Sequence, residues 1–381
     1  MGVACAGCGG GAVSQGDAGV ADATCDVCDA GAHSPLDSGA CAPAEKRCLG
    51  NRTQVCQVDG QWGALIDCDA GTCCDGACMD VQSDDRNCGR CGHGCCGGVC
   101  QTGVCQPATL ASAEDAPVGI AVGGGNAYWT VWNSIRKVPV GGGVPTDVAT
   151  GQGSPNHVVV DAVNVYWTNW IGGAVMLSSL GGGAAIQIAS GQNHPSGIAV
   201  DANNVYWANE LGGTVMTAPL GGGSASTVAS AQDNPSGVVV DATSVYWTNA
   251  VVVGAVMKAP RGGGPPVVLA AGQDTPVGIA IDATNVYWTN NTATGKVMKA
   301  PLGGGAPVTL ASAQLVPWGI AVDATRVYWV NEGGTVMTVS IGGGVPTTLA
   351  TVPTTPRYLA IDASCLYWTN GDGTIRKVAK P

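Results

Sequence analysis

From residue 107 to the end, apolar and polar residues alternate in short runs of four to seven, the period of half-buried β-strands, and turn residues separate the runs. One unit shows the pattern: "GIAVD" from Gly197, "NVYWAN" from Asn204, "GTVMTAP" from Gly213 and "STVAS" from Ser226 read as four strands, a to d, joined by Gly, Asn, Asp and Pro. The pattern recurs, and its clearest marker is Tyr-Trp, at Trp129, Trp167, Trp207, Trp247, Trp288, Trp329 and Trp368, with spacings of 38 to 41 residues. A period near 40 made of four short strands predicts the blades of a β-propeller.

Counting strands predicts how the ring closes. There are seven a, b and c strands, but the first d-like run, within residues 108 to 112, precedes any Tyr-Trp unit, and the last unit ends at "TIRKVAKP" without one. The Gly-Gly-Gly turn between c and d occurs six times, beginning at Gly141, Gly181, Gly221, Gly262, Gly303 and Gly342, and is missing only from the final unit. The fold class expected is therefore all-β, a seven-bladed propeller closed by an N-terminal outer strand. Closure of this kind removes exposed edges.

The segment before residue 107 has a different character. It holds 17 of the 18 Cys, between Cys5 and Cys105, and 13 acids against 5 bases, with few large apolar residues. Such a segment cannot offset its chain entropy by burial, and disulfides are the usual remedy. Zinc is the competing reading, because Cys25 and Cys28, and Cys88 and Cys91, are spaced CxxC; mixed spacings, the adjacent pairs Cys73-Cys74 and Cys95-Cys96, and scarce His favour disulfides. Spacing does not reveal the connectivity. Three regions follow: 1–40, a signal remnant and flexible tether; 41–106, Cys-rich disulfide modules; 107–381, the propeller.

Composition narrows the classes of partner. With 60 Gly, 11% charged residues and a net charge of −11, the chain offers no basic field for nucleic acid or an anionic membrane surface. No stretch is long and apolar enough for a membrane helix. The opening "MGVACAGCGGG" resembles the end of a bacterial lipoprotein signal, with Cys8 or Cys5 as lipid acceptor. That resemblance implies an extracytoplasmic protein, secreted or lipid-anchored at the cell surface, whose contact with a membrane is the anchor alone.

The repeated "YWTN" strands resemble those of YWTD-type β-propellers over residues 107 to 381, with Asn169, Asn209, Asn249, Asn290, Asn331 and Asn370 in the fourth position and Val131 in the first unit. Preceded by segments similar to the small Cys-rich modules of secreted bacterial proteins, the chain resembles exported bacterial propeller lipoproteins of unassigned function. The resemblance of the Cys-rich segments implies no catalytic residues.

Several recurring residues have structural explanations. Asp161, Asp201, Asp241, Asp282, Asp323 and Asp362 each open an a-to-b turn and are expected to bond the backbone two residues on instead of forming a ring of metal ligands. The Tyr-Trp pairs and the c-strand Met residues are expected to pack blade on blade. Cys365 is read as a small buried hydrophobe in place of the Val or Ala of other units.

Comparing the units with one another locates a variable face. The a-to-b and c-to-d turns barely vary, whereas the d-to-a and b-to-c loops do. The ligand-binding candidates there are Trp132, His157, Trp170, His194, Glu210, Asp233, Asp274, Trp318, Arg357 and Tyr358, with Asp115, Glu332 and Asp372 nearby in the pattern. Exposed aromatics among polar groups suit a protein, peptide or glycan ligand. No G-x-S-x-G elbow, P-loop or dinucleotide fingerprint occurs, so neither a nucleophilic enzyme nor a nucleotide cofactor is indicated. The reading is an exported binding or scaffold protein, not an enzyme and without a cofactor or metal. The alternatives are a purely structural surface protein and a metal-dependent propeller lyase using His157, His194 and Glu210.

Overall fold

The structure, a computed structural model, describes residues 41–69 and 71–381. The candidate lipid acceptors Cys8 and Cys5, the tether and the Cys25/Cys28 pair lie outside the described residues. Two compact units are formed, one from residues 41–45 with 55–64 and the other from 46–54 with 65–381. In the smaller, Cys41 is bonded to Cys56, and Cys56 bridges to Trp62.

The larger unit contains seven antiparallel four-stranded sheets. The third is typical: Pro195–Val200, Asn204–Asn209, Thr214–Pro219 and Ser226–Ala229 follow one another in space as in sequence. The first strands of successive blades touch in turn, and that of the seventh returns to that of the first. In the seventh blade, Pro356–Ile361, Cys365–Asn370 and Ile375–Ala379 are completed by Ala108–Ala111, with Ile375 opposite Ala111 and Lys377 opposite Ala108. The ring thus closes as the strand count requires.

The blades cohere through side chains that every unit repeats. Seven core clusters each join the Tyr of one blade to the Trp of the next, as in Tyr206 with Trp247, and across the seam Tyr367 packs with Trp129. All seven indoles are fully buried, so each indole N–H needs a partner. In five blades that partner is a Gln: Trp207 Nε1 donates to Gln192 Oε1 at 2.9 Å, and Asn209 Nδ2, from the last position of "YWAN", donates to the same oxygen. Gln152, Gln232, Gln273 and Gln314 do the same. The first blade has Val131 for the Asn and uses buried Glu114, which also pairs with Arg136 at 2.8 Å. The seventh lacks the Gln, and Asn370 Oδ1 itself accepts from Trp368.

Hydroxyls add links between neighbouring inner strands: Thr130, Thr168, Thr248, Thr289 and Thr369 donate to Asn156, Ser196, Val277, Trp318 and Val118 carbonyls. The recurring Asp residues form turns. Asp201 Oδ1 accepts from the N–H groups of Asn203 and Asn204, and its Oδ2 accepts from Tyr206 O–H at 2.8 Å. Burial, with the Asp201 bond and charge reinforcing it, pushes the Tyr206 hydroxyl up to about 12.

Six further disulfides lie in the larger unit: Cys48–Cys73, Cys68–Cys78, Cys74–Cys91, Cys88–Cys100, Cys95–Cys105 and Cys96–Cys365. Cys88 and Cys91 belong to different bridges, so the CxxC spacing does not make a zinc knuckle here. Cys365 is buried as expected, within the cluster that joins the last blade to the first, but it is a half-cystine and not a free apolar residue: the strand register places Leu366 at the position of Val205 in the third blade, and the Cys365 sulfur is bonded to Cys96 across 269 residues. That bridge holds the Cys-rich segment to the last blade. His93 adds to the hold, its Nδ1 2.7 Å from Cys88 O and its Nε2 2.9 Å from Lys380 O.

Candidate functional site

The inner strands come so close around the axis that the third residue of their common motif is constrained. At Gly197 an added Cβ would stand 2.1 Å from Ser236 O, and at Gly278 2.3 Å from Trp318 O, so any side chain would displace the neighbouring strand. Gly119, Gly237 and Gly319 occupy the same place. Only the second and seventh blades depart, with His157 and Tyr358. These two rings meet edge to face at 4.6 Å across the first blade, and with the five Gly they line an axial cavity of about 190 Å3.

Above it opens a cup of about 320 Å3 whose wall includes Trp170, Glu210, Trp318, Arg357 and Tyr358, with Ser154, Asn156, Ser196 and Ser236 as neutral polar groups. Tyr358 lines both cavities. Trp170 Nε1 donates to Glu210 Oε2 at 2.9 Å, which fixes the carboxylate. His194, at φ 55°, stacks edge to face on Trp170 at 4.4 Å, and its carbonyl accepts from the Glu210 N–H at 3.0 Å. The Trp318 ring stands 6.2 Å from that of Tyr358.

Burial shifts the two axial groups in opposite directions. It disfavours the charged imidazolium of His157, bringing that group down to about 4, so the ring is neutral at pH 7. Its Nδ1 is buried without a hydrogen-bond partner among the described residues. The Tyr358 hydroxyl is pushed well above its usual range by burial and then by the Glu210 charge, with Arg357 opposing, so it stays protonated.

The structure therefore brings His157, Trp170, Glu210, Trp318, Arg357 and Tyr358 to the axis, with His194 supporting from behind Trp170. It does not bring Trp132, Asp233 or Asp274 there: Trp132 is 60% exposed on its own loop, and neither Asp lines the cup. Comparison of loops alone passed over Ser154, Asn156, Ser196 and Ser236. For Asn156, Ser196 and Ser236 the signal was the inner-strand motif itself, whose second residue runs Val118, Asn156, Ser196, Ser236, Val277, Trp318, Arg357.

Among the described residues, the one group of three His, Cys, Asp or Glu ligand atoms within 4.8 Å of one another is the sulfurs of Cys88, Cys95 and Cys105. All three are half-cystines and carry no thiolate as they stand. His157, His194 and Glu210 do not form such a close set. No described helix is long and apolar enough to cross a membrane.

No family model matches the chain, and no curated protein matches it. Solved structures do. A streptogramin B lyase is similar at a TM-score of 0.64 and 14% identity, over 72% of this chain and 97% of that one. Virginiamycin B lyase from Staphylococcus aureus is similar at 0.63 and 13% identity, over 72% and 99%. A gluconolactonase from Xanthomonas campestris is similar at 0.51 and 14% identity, over 72% and 89%. At these identities the likeness is one of fold. It nevertheless overturns the expectation that the chain is not an enzyme. That expectation rested on missing motifs, and propellers of this fold include lyases, while here a carboxylate, a neutral imidazole and a protonated phenol share the axis.

Proposed function

We propose that the axial cup is the functional site, binding a small organic ligand with an apolar or aromatic face and supplying acid and base groups for chemistry of the lyase kind. The observation that carries this reading is the coincidence of departures from the internal repeat: His157, Trp318, Arg357 and Tyr358 all interrupt the inner-strand motif, and all line the two cavities at the axis. Repetition serves packing, and one blade's exception does not. Glu210, pinned by Trp170, is a fixed anion that orients the ligand, His157, a neutral imidazole whose Nδ1 has no hydrogen-bond partner among the described residues, is a proton acceptor, and Tyr358, kept protonated, is a donor. An elimination needs such a pair, the base taking the proton from carbon and the acid protonating the leaving group. The lyases of similar fold support the reading.

The test is to incubate the purified chain with panels of peptides and glycosides and follow new unsaturation by ultraviolet absorbance and product mass. A product whose formation falls by about a hundredfold in both His157→Gln and Tyr358→Phe supports the reading. Binding that Trp170→Ala abolishes, without any product, reduces the protein to a ligand-presenting scaffold. The absence of both binding and product would overturn the proposal.

We also read the chain as exported, lipid-anchored through Cys8 or released. Support comes from the seven disulfides, which persist in oxidising compartments. Alkylation of the native protein without reductant should leave the bonded cysteines unlabelled, and labelling of most of them would rule out export.

A further inference from the structure

The cup holds an anion and a cation that do not pair with each other. Glu210 accepts a hydrogen bond from Trp170, and Arg357 stands exposed at the rim. Among the described residues neither joins an ion pair, although five such pairs occur elsewhere. Both line the same cavity, and both are close enough for their charges to act on the Tyr358 hydroxyl, in opposite senses. Each is also singular. Arg357 is the one cation among the seven second residues of the inner strands, and Glu210 is the one acid at its position, after the second strand, that reaches the cup; Glu332, its counterpart in the sixth blade, does not.

Opposite charges on one cavity wall would ordinarily draw together. Here the indole N–H of Trp170 holds Glu210 in place, leaving the carboxylate and the guanidinium to face the cavity contents separately. A ligand that satisfies both must carry a positive and a negative group. Ligands of single negative charge would meet Glu210 and the field of a chain of net charge −11, and those of single positive charge would meet Arg357. An uncharged sugar would leave both wall charges unpaired as water is displaced, a cost that rises as the site dries.

We propose that the ligand is a zwitterion, a short peptide or amino-acid derivative whose ammonium group meets Glu210, whose carboxylate meets Arg357, and whose apolar part lies against Trp170, Trp318 and Tyr358. Aromatic faces beside the ammonium site reinforce cation binding. The hydroxyls of Ser154, Ser196 and Ser236 are suited to the amide groups of a peptide. This inference rests on the cup being the functional site and adds the class of molecule it takes.

Titration calorimetry with the full chain tests it, using the dipeptide Phe-Gly, N-acetyl-Phe-Gly, Phe-Gly amide and cellotriose as probes. Phe-Gly is expected to bind, and each blocked form to bind about tenfold or more weaker, since a charge-assisted hydrogen bond is lost. Glu210→Gln should erase the difference between Phe-Gly and its acetylated form while keeping that between acid and amide, and Arg357→Gln should do the reverse. Comparing the four probes on the native protein needs no variant, so misfolding cannot imitate the result. Blocked forms binding as well as Phe-Gly, or cellotriose binding in its place, would overturn the zwitterion while Trp170→Ala sensitivity kept the cup. Binding of no probe, or binding indifferent to Trp170→Ala, would overturn both.

Discussion

Cutting the Cys96–Cys365 bond should weaken the closure of the propeller more than any other single disulfide loss. The bond spans 269 residues, from the Cys-rich segment to the second strand of the last blade. Only two residues, Gln106 and Pro107, separate Cys105 from Ala108, where the closing strand begins, so the bridge anchors the segment from which that strand emerges. In the chain-entropy view a loop of this length contributes about 5 kcal/mol, an upper value because unfolded chains keep some structure. For a domain of this size that corresponds to a fall in melting temperature of about 10 °C or more. The double variant C96S/C365S is suitable because Ser244 occupies the Cys365 position in the fourth blade and is buried there at 5% exposure. Scanning calorimetry at a fixed rate, with near-ultraviolet circular dichroism, reads the effect. C41S/C56S, which opens a bridge spanning only 15 residues in the smaller unit, should leave the propeller transition in place. A double variant C96S/C365S that melts within about 2 °C of the native protein would refute the reasoning, because 5 kcal/mol cannot hide in so small a shift.

Three other outcomes follow from the packing. Deleting residues 108–111 removes the fourth strand of the last blade and should lower the melting temperature and promote aggregation through the exposed edge, measured by calorimetry and light scattering; unchanged melting would contradict closure. Gln192→Ala strands the buried N–H groups of Trp207 and Asn209 and should cost about 2 to 4 kcal/mol in denaturant unfolding, whereas a change near zero would mean that other partners replace it. His157 lies near 4 in the folded chain against 6.5 unfolded, so the unfolded state takes the proton first as pH falls. Stability is then lost between pH 6.5 and 4, by at most about 3 kcal/mol for a partly exposed ring. His157→Gln should flatten that slope, and an identical slope in both proteins would remove His157 as its source.

Features that recur in every unit could be read directly from the chain. Tyr-Trp, the Asp turns and the missing last Gly-Gly-Gly run each report on a contact that all blades share, and seven copies average out local accident. The orphan strand at 108–111 was readable for the same reason, as a count that fails to balance. What could not be read depends on register and three-dimensional convergence. The burial of Cys365 is legible in the sequence, but its bond to Cys96, and the register that aligns Leu366 and not Cys365 with the Val of other units, are not. Spacing of Cys along a chain carries no information on which loops meet. The candidate residues came from loop variability, which admits Trp132, Asp233 and Asp274 as readily as Trp170 and Glu210, since loop position does not say which side chain turns to the axis. His157 and Tyr358 also enter through loop variability, while the stronger signal is steric: they stand where five blades can hold only Gly.

The cup is the place where the molecule is expected to meet its ligand. A crystal structure of the protein soaked with Phe-Gly, or with whichever probe calorimetry shows to bind, tests that most directly. Density is predicted between the indoles of Trp170 and Trp318, in contact with Glu210 and Arg357 and above the His157 and Tyr358 rings. Density on the opposite face, among the Gly-Gly-Gly turns, or on the Cys-rich segment, with the cup left to solvent, would contradict it.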